Sequence, residues 1–195
     1  MENKVYQPDI TSEEISKLSI KSFSGRVLVV DSMYAFGKYF HLLEGQKVLG
    51  FDTETKPSFR KGKRNRVSLI QLACDNTALL FRLNRIGIPD KLIELLSDTS
   101  IIKTGVAIHE DIRALQEIAR FEPGGFIDLQ KLVREYGIES ASLKKITAIV
   151  LGFRISKSQQ VTDWEAPVLT EAQKLYAATD AWVCYRIYSR LKGLA

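Results

Sequence analysis

Cysteine and histidine are both scarce in this chain of 195 residues. Cys74 and Cys184 lie far apart without a Cys-x-x-Cys spacing, and His41 and His109 are the two histidines. These counts argue against a disulfide framework and against a thiolate or histidine zinc site. Two widely spaced cysteines fit a reducing compartment.

Long apolar runs are absent as well. The longest apolar stretches, such as residues 148–151, are far too short to span a bilayer. The first nine residues do not show a basic segment followed by an apolar one, so the sequence predicts no signal peptide. We therefore expect a soluble, cytoplasmic protein that does not bind a membrane.

The composition that is present is ordinary for a globular protein, with 45% hydrophobic and 26% charged residues. A chain of this length suits one domain, which would bury roughly 70% of its unfolded surface. Lys and Arg total 28 against 23 Asp and Glu, a formal net charge of +5. This excess is a weak indication of a polyanionic partner.

The pattern along the chain predicts an N-terminal arm over residues 1–25 and a folded domain over residues 26–195. Strands are predicted at 26–31, 47–53, 67–74, 78–83, 101–106 and in a short segment that ends at Asp128, and helices at 32–43, 89–96, 108–121, 128–136, 142–151 and 170–191. Three strands in quick succession predict an antiparallel meander, because a parallel pair needs a longer crossover. Strand–helix alternation follows, so we expect an α/β domain whose mixed sheet is flanked by helices in three layers.

Two acids lie close together on the second predicted strand. Asp52 and Glu54 are two residues apart, so their side chains point to the same face. A hard divalent cation such as Mg²⁺ or Mn²⁺ would relieve their mutual repulsion. Taken alone, a solvated pair at a strand end is the more common explanation. The apolar residues 48–51 argue against it, because they indicate a central strand.

Two later segments also carry acids. Where a predicted strand passes into a helix, Glu110 or Asp111 would complement the positive end of the helix dipole, and residue chemistry alone does not choose between them. In the last helix, Tyr176 and Asp180 are four residues apart and share a face. An acid on a helix that packs closely on a sheet needs a cation or strong donors nearby. Taken alone, a partly exposed aspartate with the tyrosine packed in the core is the more common explanation.

The order of these motifs closely resembles that of the DEDDy exonucleases, the family of ribonuclease D and of the Werner-helicase exonuclease domain. FDTE at 51–54 and VSLIQL at 67–72 resemble the first two strands of that family. DWE at 163–165, PVLTEAQ at 167–173 and YAATDA at 176–181 resemble the segment before and through its third motif. The resemblance covers roughly residues 48–191. The helical domain that follows the nuclease in ribonuclease D has no counterpart, which predicts a stand-alone nuclease.

The resemblance implies an RNase H-like fold with a mixed sheet of five or six strands. It also implies a 3′–5′ exonuclease that hydrolyses the 3′-terminal phosphodiester bonds of DNA or RNA to nucleoside 5′-monophosphates, with two Mg²⁺ or Mn²⁺ ions as cofactors and no obligate protein partner. The metal-binding acids of the family fall on Asp52, Glu54, Asp111 and Asp180, and its tyrosine falls on Tyr176. Many members carry a polar residue where this chain has Ala107, so a substrate contact there is not expected.

Basic residues follow the first motif directly, between positions 56 and 66. Phosphate contacts are predicted for Arg60, Lys61, Lys63, Arg64 and Arg66, and such contacts would make binding depend strongly on salt. A solvated hairpin loop is the alternative explanation for this segment. Trp164 is a further candidate for the nucleic-acid groove, with anchoring of the irregular segment around it as the alternative.

Two other functions stay open on the sequence alone. One is a catalytically inactive nucleic-acid-binding module on a nuclease fold, against which the intact four acids and the tyrosine argue. The other is a different phosphohydrolase or a structural protein in which the motif match is accidental. The sequence does not distinguish DNA from RNA, because that choice depends on how the groove treats the 2′-hydroxyl.

Overall fold

The sheet has six strands in the computed structural model, which describes residues 6–58 and 65–194. They are β1 (Arg26–Val30), β2 (Val48–Thr55), β3 (Val67–Ala73), β4 (Thr77–Arg82), β5 (Ile102–Gly105) and β6 (Phe126–Asp128). Every predicted strand is present, with ends within one or two residues of those expected. The predicted contacts of Arg60, Lys61, Lys63 and Arg64 lie outside the described residues.

The strand order is β1-β4-β3-β2-β5-β6. β2, β3 and β4 pair antiparallel in sequence, so the predicted meander is confirmed. β1 joins β4 in parallel, and β5 and β6 extend the sheet in parallel from β2. β2 is therefore a central strand, as its apolar first half indicates.

The helices are α1 (Ser12–Lys17), α2 (Met33–Tyr39), α3 (Leu83–Ile86), α4 (Asp90–Ser97), α5 (Ile108–Gln116), α6 (Leu129–Leu132), α7 (Leu143–Leu151) and α8 (Glu171–Leu191), with 3₁₀ turns at Phe40–Leu43 and Val133–Tyr136. Neither α1 nor α3 is predicted from the sequence. α5 ends at Gln116 rather than at residue 121, because the Ile118 and Ala119 amides turn back to the Leu115 carbonyl. α8 begins with the expected capping box of Thr170 and Gln173.

Alternate residues of β2 face two different layers, as the pleat of a strand requires. Leu49 and Phe51 are fully buried in the core that contains α2, α4 and α5. Gly50 faces α8 on the other side of the sheet. A Cβ atom at Gly50 would lie 1.8 Å from the carbonyl oxygen of Ala181, so only glycine allows the helix to come this close. Helices on both faces give the predicted three layers.

Arg82 anchors the irregular segment that precedes α8. Its guanidinium is buried, and Nη1 donates to the Pro167 carbonyl at 2.9 Å while Nη2 donates to the Ala166 carbonyl. Trp164 in the same segment is fully buried, with its ring centroid 6.0 Å from that of Tyr176. A ring with no exposed surface cannot stack on a base. The burial of Trp164 supports the alternative, that it anchors this segment, over the predicted contact with nucleic acid.

The described part of the N-terminal segment lies against the layer that contains α7 and α8. The Phe23 amide donates to Thr179 Oγ1 at 3.0 Å, and Lys145 Nζ lies 2.7 Å from the Asp9 carboxylate. Ile10 and Ile15 are buried with Ala148. Among the helices of residues 6–58 and 65–194, none is both long and apolar enough to cross a bilayer.

Candidate active site

The end of β2 carries the first two acids of the site. Asp52 and Glu54 lie on the face of the strand that also carries Gly50, and both therefore face α8. Together with Asp180 they form a cluster in which one carboxylate oxygen of each residue lies within 4.8 Å of the others. Three of the predicted acids thus converge from a strand and a helix that are far apart in sequence.

The third acid depends on how closely α8 packs on the sheet. Ala177, Ala178 and Ala181 are fully buried, and their small side chains let the helix lie flat on the strands. Asp180, in the same run, is only 7% exposed. Its Oδ1 atom has no hydrogen-bond partner within residues 6–58 and 65–194. A buried carboxylate oxygen without a donor is costly, so this atom is suited to a metal ion.

Asp111 lies in the first turn of α5, beside the cluster. Thr53 Oγ1 donates a hydrogen bond to Asp111 Oδ1, which fixes the carboxylate next to β2. Its negative charge also contributes to the raised pKa of Asp52. The neighbouring Glu110 points outward and lies 3.5 Å from Arg113, with 67% of its side chain exposed. α5 starts after Ala107, a non-glycine residue in the left-handed region at φ 58°.

Thr53 is not among the residues predicted from the sequence. It stands between the two acids of the first motif, so the alternation of side chains along β2 directs it to the opposite face, towards α5. This alternation of side chains along β2 is the sequence signal from which a role for Thr53 could have been predicted. Thr53 thereby connects the acid on α5 to the strand that carries the other two.

Tyr176 lies one helical turn before Asp180, and its hydroxyl lowers the pKa of the Asp180 carboxyl. Burial is the main cause that raises the pKa of Tyr176 far above its ordinary value of 10, and Asp180 and Glu54 raise it further. The hydroxyl therefore stays protonated at neutral pH. It can donate a hydrogen bond but cannot serve as a base.

Burial raises the pKa of all four acids, and repulsion within the cluster raises it further for Asp52 and Glu54. Burial raises the pKa of Asp52 well above its ordinary range, and the Asp180 and Glu54 charges raise it further. Burial followed by the Asp180 charge raises the pKa of Glu54 to about 8. Burial also raises the pKa of Asp180 to about 7, against the opposing effects of Tyr176 and Lys157. The pKa of Asp111 is raised for the same main reason.

This donor set fits divalent metal ions. Carboxylate oxygens are the ligands of hard cations such as Mg²⁺ and Mn²⁺, and a bound cation would displace the protons that the raised pKa values retain. Without a cation, ionisation of the whole cluster places several negative charges in a half-buried space. The arrangement is thus unfavourable as a purely structural feature and favourable as a metal site.

Of the residues predicted to contact nucleic acid, Arg66 and Trp164 lie within residues 6–58 and 65–194. Arg66 is exposed at the start of β3, next to the segment outside the described residues. Lys56, at the other end of that segment, lies 3.1 Å from Asp163 and 3.7 Å from Glu165. These ion pairs connect the end of the first motif to the segment that Arg82 anchors.

Comparison with known proteins gives a consistent result. Residues 29–194 match the family model described as 3′–5′ exonuclease. The chain is 36% identical over 153 residues to the bifunctional 3′–5′ exonuclease/ATP-dependent helicase WRN of Mus musculus, covering 75% of this chain and 11% of that protein. It resembles Escherichia coli RNase D at 27% identity with a TM-score of 0.75, covering 86% of this chain and 44% of that one.

The Aedes aegypti Nibbler EXO domain shares the fold at 24% identity, with a TM-score of 0.78 over 89% of this chain and 91% of that domain. The predicted RNase H-like architecture is thereby confirmed. The chain spans from 11% to 40% of the length of the first curated relatives that it matches. The likeness therefore concerns one domain within those larger proteins.

Proposed function

Because the chain belongs to the 3′–5′ exonuclease family, we propose that it is a metal-dependent 3′–5′ exonuclease that releases nucleoside 5′-monophosphates from the 3′ ends of nucleic acid. The observation that carries the proposal is the cluster of Asp52, Glu54 and Asp180, whose ligand atoms lie within 4.8 Å of one another. The unpartnered, buried Oδ1 atom of Asp180 supports it.

The residues that would hold two Mg²⁺ or Mn²⁺ ions follow from this geometry. Asp52, Glu54 and Asp180 would hold one ion, and Asp52 together with Asp111 the other. Bound there, the ions would ionise a water molecule and stabilise the negative charge that develops on the leaving oxygen. Thr53 holds the Asp111 carboxylate beside β2 and so keeps this acid in place.

Tyr176 would orient the attacking water through its hydroxyl group. Its raised pKa keeps the proton on the phenol oxygen, so the hydroxyl positions the water by a hydrogen bond and does not deprotonate it. Tyr176 precedes Asp180 by one turn of α8, which brings the hydroxyl to the edge of the cluster. A positioning role of this kind requires the hydroxyl and not merely the ring.

The substrate would be a nucleic-acid strand with a free 3′ end. Arg66 and the basic residues Arg60, Lys61, Lys63 and Arg64 follow the first motif, where contacts to phosphates would add to the binding energy. The proposed contacts predict that affinity falls steeply as salt increases. We further expect the protein to act in the cytoplasm and without an obligate protein partner.

The test is a side-by-side digestion of 5′-labelled single-stranded DNA, recessed duplex DNA and RNA in Mg²⁺ or Mn²⁺, with EDTA controls. Asp111→Asn and Glu110→Gln form a matched pair of adjacent acids, because Asp111 accepts a hydrogen bond from Thr53 of β2, whereas 67% of the Glu110 side chain is exposed. We expect Asp111→Asn to lower the rate at least about 100-fold and Glu110→Gln to leave it unchanged. Binding without shortening of any substrate would favour the inactive binding module.

A further inference from the structure

Gln71 is a buried polar side chain that the proposed mechanism does not use. It lies in the middle of β3 and has no exposed surface. Neither its Nε2 nor its Oε1 atom has a hydrogen-bond partner within the described residues. An amide left unpaired in a protein interior destabilises the fold, so such groups call for an explanation.

The sheet register places Gln71 directly opposite Asp52. In the antiparallel pair of β2 and β3 the two residues are Cα partners. Side chains at such positions share a face and have Cβ atoms about 4.5–5.5 Å apart, within reach of a glutamine amide. Gln71 therefore stands on the α8 side of the sheet, beside the acid that both proposed metal ions would share.

The neighbours of Gln71 along β3 and across on β4 are apolar on that face. Leu69 and Ala73 precede and follow it on the same side of β3, and both are fully buried. Its partner on β4 is Leu80, which is also fully buried. Among the directly opposite residues of β2 and β4, Asp52 is thus the polar one that the register brings next to the amide.

We propose that Gln71 is a positioning residue: its Nε2, unpaired among the described residues of this structure, donates to the Asp52 carboxylate when that carboxylate binds metal and holds it in the metal-binding orientation. This inference rests on the metal site of the proposed function. Metal-binding carboxylates are themselves held by hydrogen bonds, and loss of such a partner typically weakens metal affinity about 10- to 100-fold. An amide is well suited here, because it supplies a donor without adding a further charge to the acids.

Thr104 offers a matched control in the same layer. It is fully buried on β5, and its Oγ1 atom also lacks a partner within residues 6–58 and 65–194. Its Cα partner on β2 is Gly50 instead of an acid. Thr104→Val removes one buried polar group at nearly constant volume without removing a neighbour of Asp52.

The test measures Mn²⁺ affinity by calorimetric titration of the metal-free protein, without nucleic acid. We expect Gln71→Met and Gln71→Leu to raise the Mn²⁺ dissociation constant at least about 10-fold and Thr104→Val to change it less than about 2-fold. The melting temperature in EDTA should stay at or above that of the wild type, because the substitution removes a buried amide that has no hydrogen-bond partner in the described part of this structure. Because Met and Leu differ in shape, a loss of Mn²⁺ affinity that both variants share does not come from altered packing in one of them.

A measurement on the wild type keeps the inference testable if both variants fail to fold. Diamagnetic Mg²⁺ should shift the side-chain amide resonances of Gln71 in NMR spectra, since the carboxylate that accepts from them changes its charge. Unchanged Gln71 resonances, or wild-type Mn²⁺ affinity in Gln71→Met, would overturn the inference. Wild-type protein that binds Mn²⁺ but degrades no nucleic acid would refute the exonuclease proposal instead, while the affinities still decide the role of Gln71.

Discussion

The acid cluster should make the metal-free protein less stable as the pH rises, and Glu54 provides the clearest test. Its pKa is about 8 in the folded protein against an ordinary value of 4.5, so the folded state holds this proton more tightly than the unfolded chain. The free energy of unfolding must therefore decrease as the pH rises from about 4.5 to about 8. The stabilisation from the bound proton is complete below this range and lost above it.

The size of the effect follows from the same two values. At about 1.36 kcal/mol per pKa unit, the difference between about 8 and 4.5 corresponds to about 5 kcal/mol. Glu54 is only half-buried, so water screens part of this energy. Even a third of it, about 1.5 kcal/mol, would change the melting temperature of a protein of this size by about 3–6 °C.

The perturbation is Glu54→Gln, measured by thermal unfolding in EDTA between pH 5 and pH 9. At pH 8 the variant should melt about 3–6 °C above the wild type, and its melting temperature should fall less with pH. Glu94→Gln, which neutralises an exposed acid on α4, should melt like the wild type throughout. A metal-free wild type whose stability is flat or rises from pH 5 to pH 8, or a Glu54→Gln variant less stable at pH 8, would refute the reasoning.

Three further substitutions test the parts that position the site. Tyr176→Phe removes the hydroxyl next to Asp180 and keeps the ring. We therefore expect kcat to fall about 10- to 100-fold while the melting temperature changes little. An unchanged kcat in steady-state digestion would contradict this role. Gly50→Ala should abolish metal-stimulated digestion, because the added Cβ would lie 1.8 Å from the Ala181 carbonyl and force α8 away from β2; full activity would show that the close approach is unnecessary. Arg82→Met should lower the free energy of unfolding by about 2–4 kcal/mol, because it deprives two carbonyls of their donor; denaturant titration checks this, and a loss below about 0.5 kcal/mol, the range of ordinary surface substitutions, would contradict it.

The strands were predictable because their signal is local. Each is a short run of β-branched and apolar residues, and the close spacing of β2, β3 and β4 leaves room only for an antiparallel meander. The missed helix α1 also had a local signal, a capping box of Thr11 and Glu14. It is short and buries one side chain, Ile15, so apolar periodicity does not reveal it.

The candidate site was predictable only in its components. The spacing of Asp52 and Glu54 places both on one face of a strand, but their meeting with Asp180 depends on the approach of α8 over Gly50. The contact between Thr53 and Asp111 likewise needs the position of α5. Such contacts between distant segments cannot be derived from periodicity along the chain.

Trp164 shows how a distant contact decides between two explanations that the sequence leaves open. A tryptophan in a polar, irregular segment near a functional motif suggests an exposed ring that could stack on a base. Arg82 on β4 instead draws the segment onto the sheet by two hydrogen bonds to backbone carbonyls, and the ring packs inside against Tyr176. The sequence around Trp164 carries no sign of this distant partner.

The central claim is that the acids on β2 and α8 hold the metal ions for hydrolysis at a 3′ end. Its most direct measurement is a time course on a 5′-labelled single strand with Mn²⁺, comparing the wild type with Asp180→Asn. We predict a ladder that shortens one nucleotide at a time from the 3′ end for the wild type, and none for Asp180→Asn or in EDTA. Wild-type digestion by a folded Asp180→Asn protein would contradict the claim.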